Sequence, residues 1–418
     1  MMRQMKDSGV EWMGQIPEKW KVQRAKTLFL QRLTKGNQYT VLLAATQKHG
    51  MLPQSEVEGV VQVKEDADLQ QFRTVHKNDF VISLRSFQGG FEFSQYEGVC
   101  SPAYQVFYST KPICYSYYRM LFKSDGFIKK MNSLTVGIRD GKNIQYDDFA
   151  NSLVPVPPLK EQEHIADYLD RKCAEIDAII AKQQQIIEKL KEYKLSIITE
   201  AVTKGLDPNV PMKDSGVKWI GKIPEHWNIL KLQAHTRMLT PMRDRPEKLD
   251  GDIPWVRIED YDGKYISTSK EGLGVSLETV NEMNLKIYPV GSILCTSSCD
   301  LGKCAIVTRE LVSNQRFINI IPDLDTNSDY LYYLMLSNAK RLNHLSTGTI
   351  QANLSRKAFE HLMVQFPPFA EQKEIAEYLD KKCETVELSI RKKQELIDRL
   401  NLYKKSLIYE TVTGKKEI

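Results

Sequence analysis

The residues best suited to chemistry in this 418-residue chain sit in short polar loops, not in a catalytic constellation. Arg85, Ser86 and Gln88 stand in Leu84-Arg85-Ser86-Phe87-Gln88-Gly89-Gly90, and Arg139, Lys142 and Asn143 in Gly137-Ile138-Arg139-Asp140-Gly141-Lys142-Asn143. Asn314, Gln315 and Arg316 follow Ser313, and Thr349, Gln351 and Asn353 lie in Gly348-Thr349-Ile350-Gln351-Ala352-Asn353-Leu354-Ser355. The last two loops occupy the places in the second half that the first two occupy in the first. A guanidinium can donate twice to a guanine edge, and a carboxamide can donate and accept at an adenine edge. Lysines and hydroxyls suit phosphate oxygens. The same residue types also build ordinary solvated turns, so composition alone leaves both readings open.

No catalytic pattern is complete. Cys295, Cys299 and Cys304 form a C-x3-C-x4-C run that could offer three thiolates to zinc. No fourth ligand is close, the spacing is not that of a finger, and Cys295 falls in an expected strand. No metal site is expected. Gln365-Phe366-Pro367-Pro368-Phe369 is superficially close to the Asn-Pro-Pro-Tyr motif of adenine methyltransferases. Its internal counterpart, Pro155-Val156-Pro157-Pro158-Leu159, has no amide side chain, and both run into helices. A triphosphate-cradling glycine loop ending in Gly-Lys-Ser/Thr is absent. Pro322-Asp323 lacks the downstream acidic residue and lysine of a common nuclease core. The seven histidines form no triad and no metal spacing. The expectation is no catalytic residue and no cofactor of the chain's own: a reader rather than a reactor.

The loops must be held by two stretches, 21–150 and 228–366. Val, Ile, Phe and Tyr enrichment predicts strands at 79–84 and 99–108, then at 292–295, 304–307 and 317–321. Apolar faces predict helices at 115–132 and 329–345. Element order is similar in the two stretches and the residues are not. The first carries 17 Lys and Arg against 12 Asp and Glu, the second 16 against 16, so charge alone does not mark both as nucleic-acid binding.

Around these unlike middles the frame repeats. Met5-Lys6-Asp7-Ser8-Gly9-Val10-Glu11-Trp12 recurs as Met212-Lys213-Asp214-Ser215-Gly216-Val217-Lys218-Trp219, and 12 of 16 positions match through Trp20 and Trp227. Pro157-Pro158-Leu159-Lys160-Glu161-Gln162 recurs as Pro367-Pro368-Phe369-Ala370-Glu371-Gln372, with 11 of 17 positions identical through Cys173 and Cys383. Prolines suit a helix start, and neither Pro nor Gly follows until Gly205 or Gly414. Apolar residues at Leu169, Ile176, Ile179, Leu190, Tyr193 and Ile197 recur in steps of three and four, as do Leu379, Val386, Leu396, Leu400, Tyr403 and Leu407. Two helices of about 43 residues, roughly 65 Å each, cannot bury such seams alone. They are expected to pack on each other, with Gln183 and Lys393 interrupting the seams. Cys173 and Cys383 are expected as small buried residues rather than a disulfide.

Hydrophobic residues make up 42% and charged residues 27%, which excludes a disordered chain. The longest apolar runs fall short of a membrane span. The polar N-terminus and irregular cysteines predict a cytoplasmic protein. Net charge +5 permits an acidic partner without demanding one.

The two repeated motifs, Lys-Asp-Ser-Gly-Val-x-Trp-x-Gly-x-Ile-Pro-Glu-x-Trp and Pro-Pro-x-x-Glu-Gln-x-x-Ile-Ala-x-Tyr-Leu-Asp, resemble those of type I restriction–modification specificity (S) subunits. Asn78 to Gly90 and Val136-Gly137-Ile138-Arg139 resemble one class of their target recognition domains, and 348–355 another. The resemblance implies an α+β fold. Two globular mixed α/β target recognition domains would be joined by two long helices packed as an antiparallel coiled coil, with a pseudo-twofold internal repeat. It places a lead-in and first recognition domain at 1–156, a spacer helix at 157–204, a link, lead-in and second recognition domain at 205–366, a second spacer helix at 367–414 and a tail at 415–418. Each recognition domain would read one half-site of a bipartite double-stranded DNA target, and helix length would set the unread gap. Two methyltransferase (M) subunits would dock on the helices, around Leu169, Ile176, Leu190, Ile197, Leu379, Val386, Leu400 and Leu407. S-adenosylmethionine, ATP and magnesium would belong to the M and restriction (R) subunits. A helical adaptor whose middles bind protein is the alternative, and an enzyme with an unfamiliar site is a third.

Overall fold

The repeated lead-in folds the same way twice because its residues write the same turn. The Asp7 carboxylate accepts from Gly9 N at 2.9 Å and Ser8 Oγ accepts from Val10 N at 3.1 Å. Asp214 and Ser215 repeat both bonds, at 2.9 and 3.1 Å. Gly9 and Gly216, at φ +68° and +71°, take the left-handed conformation that a side chain resists. Strand Met5–Asp7 then pairs antiparallel with Gln15–Pro17, and Met212–Asp214 with Lys222–Pro224.

The computed structural model describes residues 3–36, 41–47, 49–57, 69–83, 90–134, 144–241, 244–298, 301–345 and 354–418. They form two units, Met1–Gln183 with Glu395–Ile418, and Gln184–Gln394. Each unit holds a lead-in, a globular middle, the first part of one long helix and the last part of the other.

In the first unit a four-stranded antiparallel sheet runs in the order Phe29–Gln31, Gln105–Ser109, Phe80–Ile82, Phe91–Phe93. One face carries Phe29, Phe80, Phe91 and Phe107 against Phe122, Phe127 and Phe149. Phe107 and Phe149 ring centres lie 4.4 Å apart. In the second unit Thr236–Leu239, Phe317–Pro322, Ile293–Thr296 and Cys304–Val307 take the same order, with Tyr265–Ile266 added in parallel at the edge. Ile293, Ile318, Ile320, Leu331 and Leu334 replace the phenylalanines.

Three expected elements divide. The 99–108 stretch is two strands, Gly98–Cys100 and Gln105–Ser109, in different sheets. Pro102 has no amide to donate, and Tyr104 N turns back to Ser101 O at 3.0 Å. The 115–132 helix breaks into Tyr115–Phe122 and Asp125–Leu134, where Ser124 Oγ caps Leu121 O at 2.6 Å. The 329–345 helix breaks at Asn338, whose Nδ2 donates to Leu334 O at 2.9 Å, leaving Ser328–Ser337 and Ala339–Leu345. In both cases a side chain competes for the helix's own carbonyls.

The long helices run Leu159–Lys204 and Phe369–Val412, 46 and 44 residues. Their repeated Glu-Gln pair is an anchor. Glu161 accepts from Trp20 Nε1 at 2.9 Å and Glu371 from Trp227 Nε1 at 3.0 Å. Gln162 Nε2 donates to Pro157 O at 2.9 Å while its Oε1 accepts from Cys114 N at 3.0 Å. Gln372 does the same with Pro367 O and Asn327 N, at 3.0 and 2.8 Å. Each helix ends on a left-handed glycine, Gly205 or Gly414. A Cβ on Gly414 would lie 2.9 Å from the Trp20 ring, and one on Gly205 3.3 Å from the Trp227 ring. Thus the start of one helix meets the end of the other at the same buried tryptophan, which makes the pairing antiparallel inside each unit. Lys404–Asp177 ties them in the first unit at 2.6 Å, and Lys194–Glu387 in the second at 2.7 Å.

Leu169, Ile176, Leu379, Val386 and Leu407 are buried, and Leu190, Ile197 and Leu400 are half-buried. Four residues of the expected seams face solvent instead: Ile179, Tyr193, Leu396 and Tyr403. A straight helix turns 3.6 residues per turn, so a stripe spaced at 3.5 drifts off the contact line. Cys173 and Cys383 are free thiols, half-buried and buried.

Candidate nucleic-acid interface

The four-stranded sheets fix where the expected reading loops leave the fold. In the first unit Ser83 N donates to Gly90 O at 2.8 Å and closes the hairpin Phe80–Ile82/Phe91–Phe93. The residues between, with Arg85, Ser86 and Gln88, lie outside the described set, as do Arg139, Lys142, Asn143, Thr349, Gln351 and Asn353.

Asn314, Gln315 and Arg316 are described, and their place corrects the expected pairing of loops. They precede Phe317–Pro322, whose topological equal in the first unit is Gln105–Ser109. Their counterpart is therefore the turn Ser101-Pro102-Ala103-Tyr104. The counterpart of the 84–89 loop is the tip of the hairpin Ile293–Thr296/Cys304–Val307. Sequence similarity was too low to show this, because strand order is a non-local property.

Asn314 Oδ1 accepts from Arg316 N at 3.1 Å, and the Asn314 backbone N donates to Val256 O at 3.2 Å. Gln315 and Arg316 are exposed. Two backbone bonds then join three segments. Ser297 N donates to Arg316 O at 2.8 Å and Leu354 N donates to Ser297 O at 2.8 Å. The 314–316 turn, the hairpin tip and the end of the 347–355 loop therefore meet at one place. A cleft of about 510 Å³ opens there, lined among others by Thr240, Ser297, Gln315, Leu354 and Arg356. Arg356 Nε pairs with Glu360 at 2.6 Å on the short helix Arg356–Glu360, whose cap is Ser355. Arg316 makes no ion pair among the described residues. Hydroxyls, a carboxamide and the Arg356 guanidinium around one cleft, with the exposed Arg316 next to Gln315 in the chain, suit base edges and phosphates. Arg356, Ser297 and Thr240 were not singled out in the sequence. The only signal was the adjacency of Arg356 to the polar 347–355 loop.

The cysteine run resolves into a packing pair. Cys295 and Cys304 face each other across the hairpin, sulfur to sulfur 3.1 Å, both free and buried. Burial, then the bond and charge of Cys304, push the Cys295 thiol well above its ordinary value. Cys299 lies outside the described residues. Among those described, no three His, Cys, Asp or Glu side chains converge on a metal-sized site. No described helix is long and apolar enough to cross a membrane.

Residues 11–198 and 235–397 match the family model described as type I restriction modification DNA specificity domain. The chain is 32% identical over 189 residues to the type I restriction enzyme MjaIX specificity subunit of Methanocaldococcus jannaschii, 44% of this chain and 44% of that protein. It is 26% identical over 360 residues to the MjaVIII specificity subunit of the same organism, 82% of this chain and 80% of that one. The match thus spans under half of the first relative and most of the second. In fold, it is similar to a solved chain from a study of complex assembly and conformational transition of the type I R-M system. That likeness has 13% identity and a TM-score of 0.73, over 96% of this chain and 99% of that one.

Proposed function

The chain belongs to the type I restriction modification DNA specificity family, and we propose on that premise that each of its two units reads one half-site of a bipartite duplex. The observation that carries this is one strand order built twice from unlike residues on a like frame. A constant frame with differing edges is what two readers of different short sequences need. In the second unit the reading surface is the cleft of Ser297, Gln315 and Arg356 with the neighbouring Arg316; Thr349, Gln351 and Asn353, outside the described residues, are further candidate contacts. In the first unit the candidate contacts are Arg85, Ser86, Gln88, Arg139, Lys142 and Asn143, all outside the described residues. Each contact is worth about 1–3 kcal/mol of base discrimination. Two linked readers gain affinity through effective concentration.

The same reading assigns the chemistry elsewhere. Two methyltransferase subunits bring S-adenosylmethionine and flip the target adenine, and restriction subunits bring ATP and magnesium. This chain supplies position, not catalysis. Tyr193 and Tyr403 are equivalent in the repeat and are 56% and 52% exposed. They present large apolar groups on the two long helices for those subunits to cover.

The test is co-expression with the partner methyltransferase in a methylation-free host, followed by genome-wide mapping of methyladenine. A bipartite motif with a fixed gap is expected. An intact complex that methylates a continuous site, or nothing, overturns the reading.

A further inference from the structure

Each unit buries one lead-in tryptophan and leaves the other at the surface. Trp20 and Trp227 are fully buried, whereas Trp12 is half-buried and Trp219 is 45% exposed. The lead-in turn is made by Asp, Ser and Gly and does not require an indole at the surface positions. In the first unit Trp12 walls a groove of about 700 Å³ with Lys129, Lys130, Leu402, Lys405 and Tyr409. Its floor is built. A Cβ on Gly126 would come within 2.6 Å of the Tyr409 ring and 3.2 Å of the Trp12 ring. Tyr409 Oη donates to Trp12 O at 2.6 Å and accepts from Lys415 Nζ at 2.7 Å.

The second unit has a groove at the equivalent place, about 260 Å³, lined by Thr199, Trp219, Lys340, Arg341 and His344 among others. Arg341 lies over the Trp219 ring at 4.1 Å, and its Nε is buried with no hydrogen-bond partner. Both grooves are assembled alike: a lead-in tryptophan, cations from the helix after the break, and the last turns of the long helix that arrives from the other half. Lys129, Lys130 and Lys405 outnumber Glu11 and Asp125 around the first, and the second has no carboxylate in its lining.

We propose that these grooves are one docking site built twice, for a short acidic and apolar segment of the methyltransferase subunit, one copy per unit. The step rests on the function proposed above and adds the place and chemistry of the contact. The reading edges differ between units, so a surface common to both serves something common to both. An apolar side chain of the segment lies against the indole. Its carboxylate takes the flanking cations, and the planar guanidinium of Arg341 offers the stronger, two-pronged bond. The exposed rim residue Leu402, 66% accessible, favours protein over a phosphate backbone.

The full chain co-purified with its methyltransferase, with copies counted by native mass spectrometry and affinity by titration, tests this. Trp12→Ala and Trp219→Ala are each expected to weaken one of the two copies at least tenfold, with Trp12→Phe retaining it. Because Trp12 also packs on Phe127, at 5.7 Å, the surface variants Lys129→Glu with Lys130→Glu, and Lys340→Glu, provide the same test without opening the core. Two copies bound at wild-type affinity in both charge reversals would overturn the grooves and leave the proposed function standing. Loss of DNA binding at an unchanged partner count would overturn them too, assigning the cations to phosphates. A wild-type chain that binds no methyltransferase would remove the proposed function and the grooves together.

Discussion

The two units solve one folding problem with different materials. At the sheet–helix interface the first stacks Phe80 on Phe107 at 5.4 Å, where the second pairs Ile293 with Ile320 in the same register. One residue along, Glu92 opposes Val81 in the first hairpin and Ala305 opposes Leu294 in the second. At the end of the hairpin Ile82 and Phe91 stand where Cys295 and Cys304 stand. What stays the same is the attachment to the long helices. Tyr117 Oη donates to Val412 O at 2.8 Å, and Tyr330 Oη reaches the equivalent carbonyl, Val202 O, at 3.5 Å. The sheet tolerates exchange of any well-packed apolar set. The attachment, made of single directed hydrogen bonds to fixed carbonyls, does not.

Seven substitutions, in four groups, would break or sharpen this contrast. The largest effect is expected in the cores: Phe107→Ala costs about 3–5 kcal/mol and Ile320→Ala about 2–5 kcal/mol, read as urea midpoints. A loss below about 1 kcal/mol in the first unit would mean that its phenylalanines collapse into the gap. Next come the anchors. Glu161→Ala and Glu371→Ala each remove a charged acceptor from an indole N–H, and each is expected to cost about 1.5–3 kcal/mol. If only one does, the two attachments are not equivalent. Third, Gln315→Ala and Arg316→Ala are expected to relax one base position, by about 1–3 kcal/mol, in one half of the methylation motif. A change in both halves would sink the assignment of one reader per unit.

The smallest concerns Glu92, which has no counterpart in the second unit. Burial raises its carboxyl above the ordinary value, and Lys123 at 2.7 Å offsets only part of this. Its Oε2 has no hydrogen-bond partner. A raised folded pKa favours the protonated fold, so stability is greatest below the unfolded value and is lost as pH rises through the folded one. Glu92→Gln should therefore stabilise the first unit at pH 8 relative to the native chain, with the difference vanishing near pH 4. An equal difference at both values would show that Lys123 had already settled the charge.

The frame was legible because it is local. Asp7-Ser8-Gly9, the Pro-Pro starts and the three-four spacing each specify structure over a few residues, and internal repetition exposed them twice. Sheet order was not legible, since three-residue strands such as Phe80–Ile82 carry almost no periodicity. Asp79 read as strand, yet it is a buried carboxylate gripping Arg32 Nε at 2.7 Å, from 47 residues away. Nor could spacing reveal that Glu161 and Gln162 serve Trp20 and Cys114. The family motif marked them without saying what they touch. In the second unit, the candidate reading surface joins segments around residues 297, 316 and 354, which only folding brings together. Of the residues expected there, the sequence supplied Gln315 and Arg316 but not Arg356.

The tryptophan clamps also constrain how this gene can change. The first long helix is gripped at its start by Trp20 and at its end, through Gly205, by Trp227. One inserted residue would rotate one grip by about 100° and shift it by about 1.5 Å relative to the other. Insertions and deletions in the helical segments should therefore persist through descent only when they approximate whole turns. Point substitutions on the solvent face leave both grips in place and are limited only where a partner covers that face. Lengths in a lineage of such genes would then be quantised, stepping between discrete values, while the reading edges drift continuously.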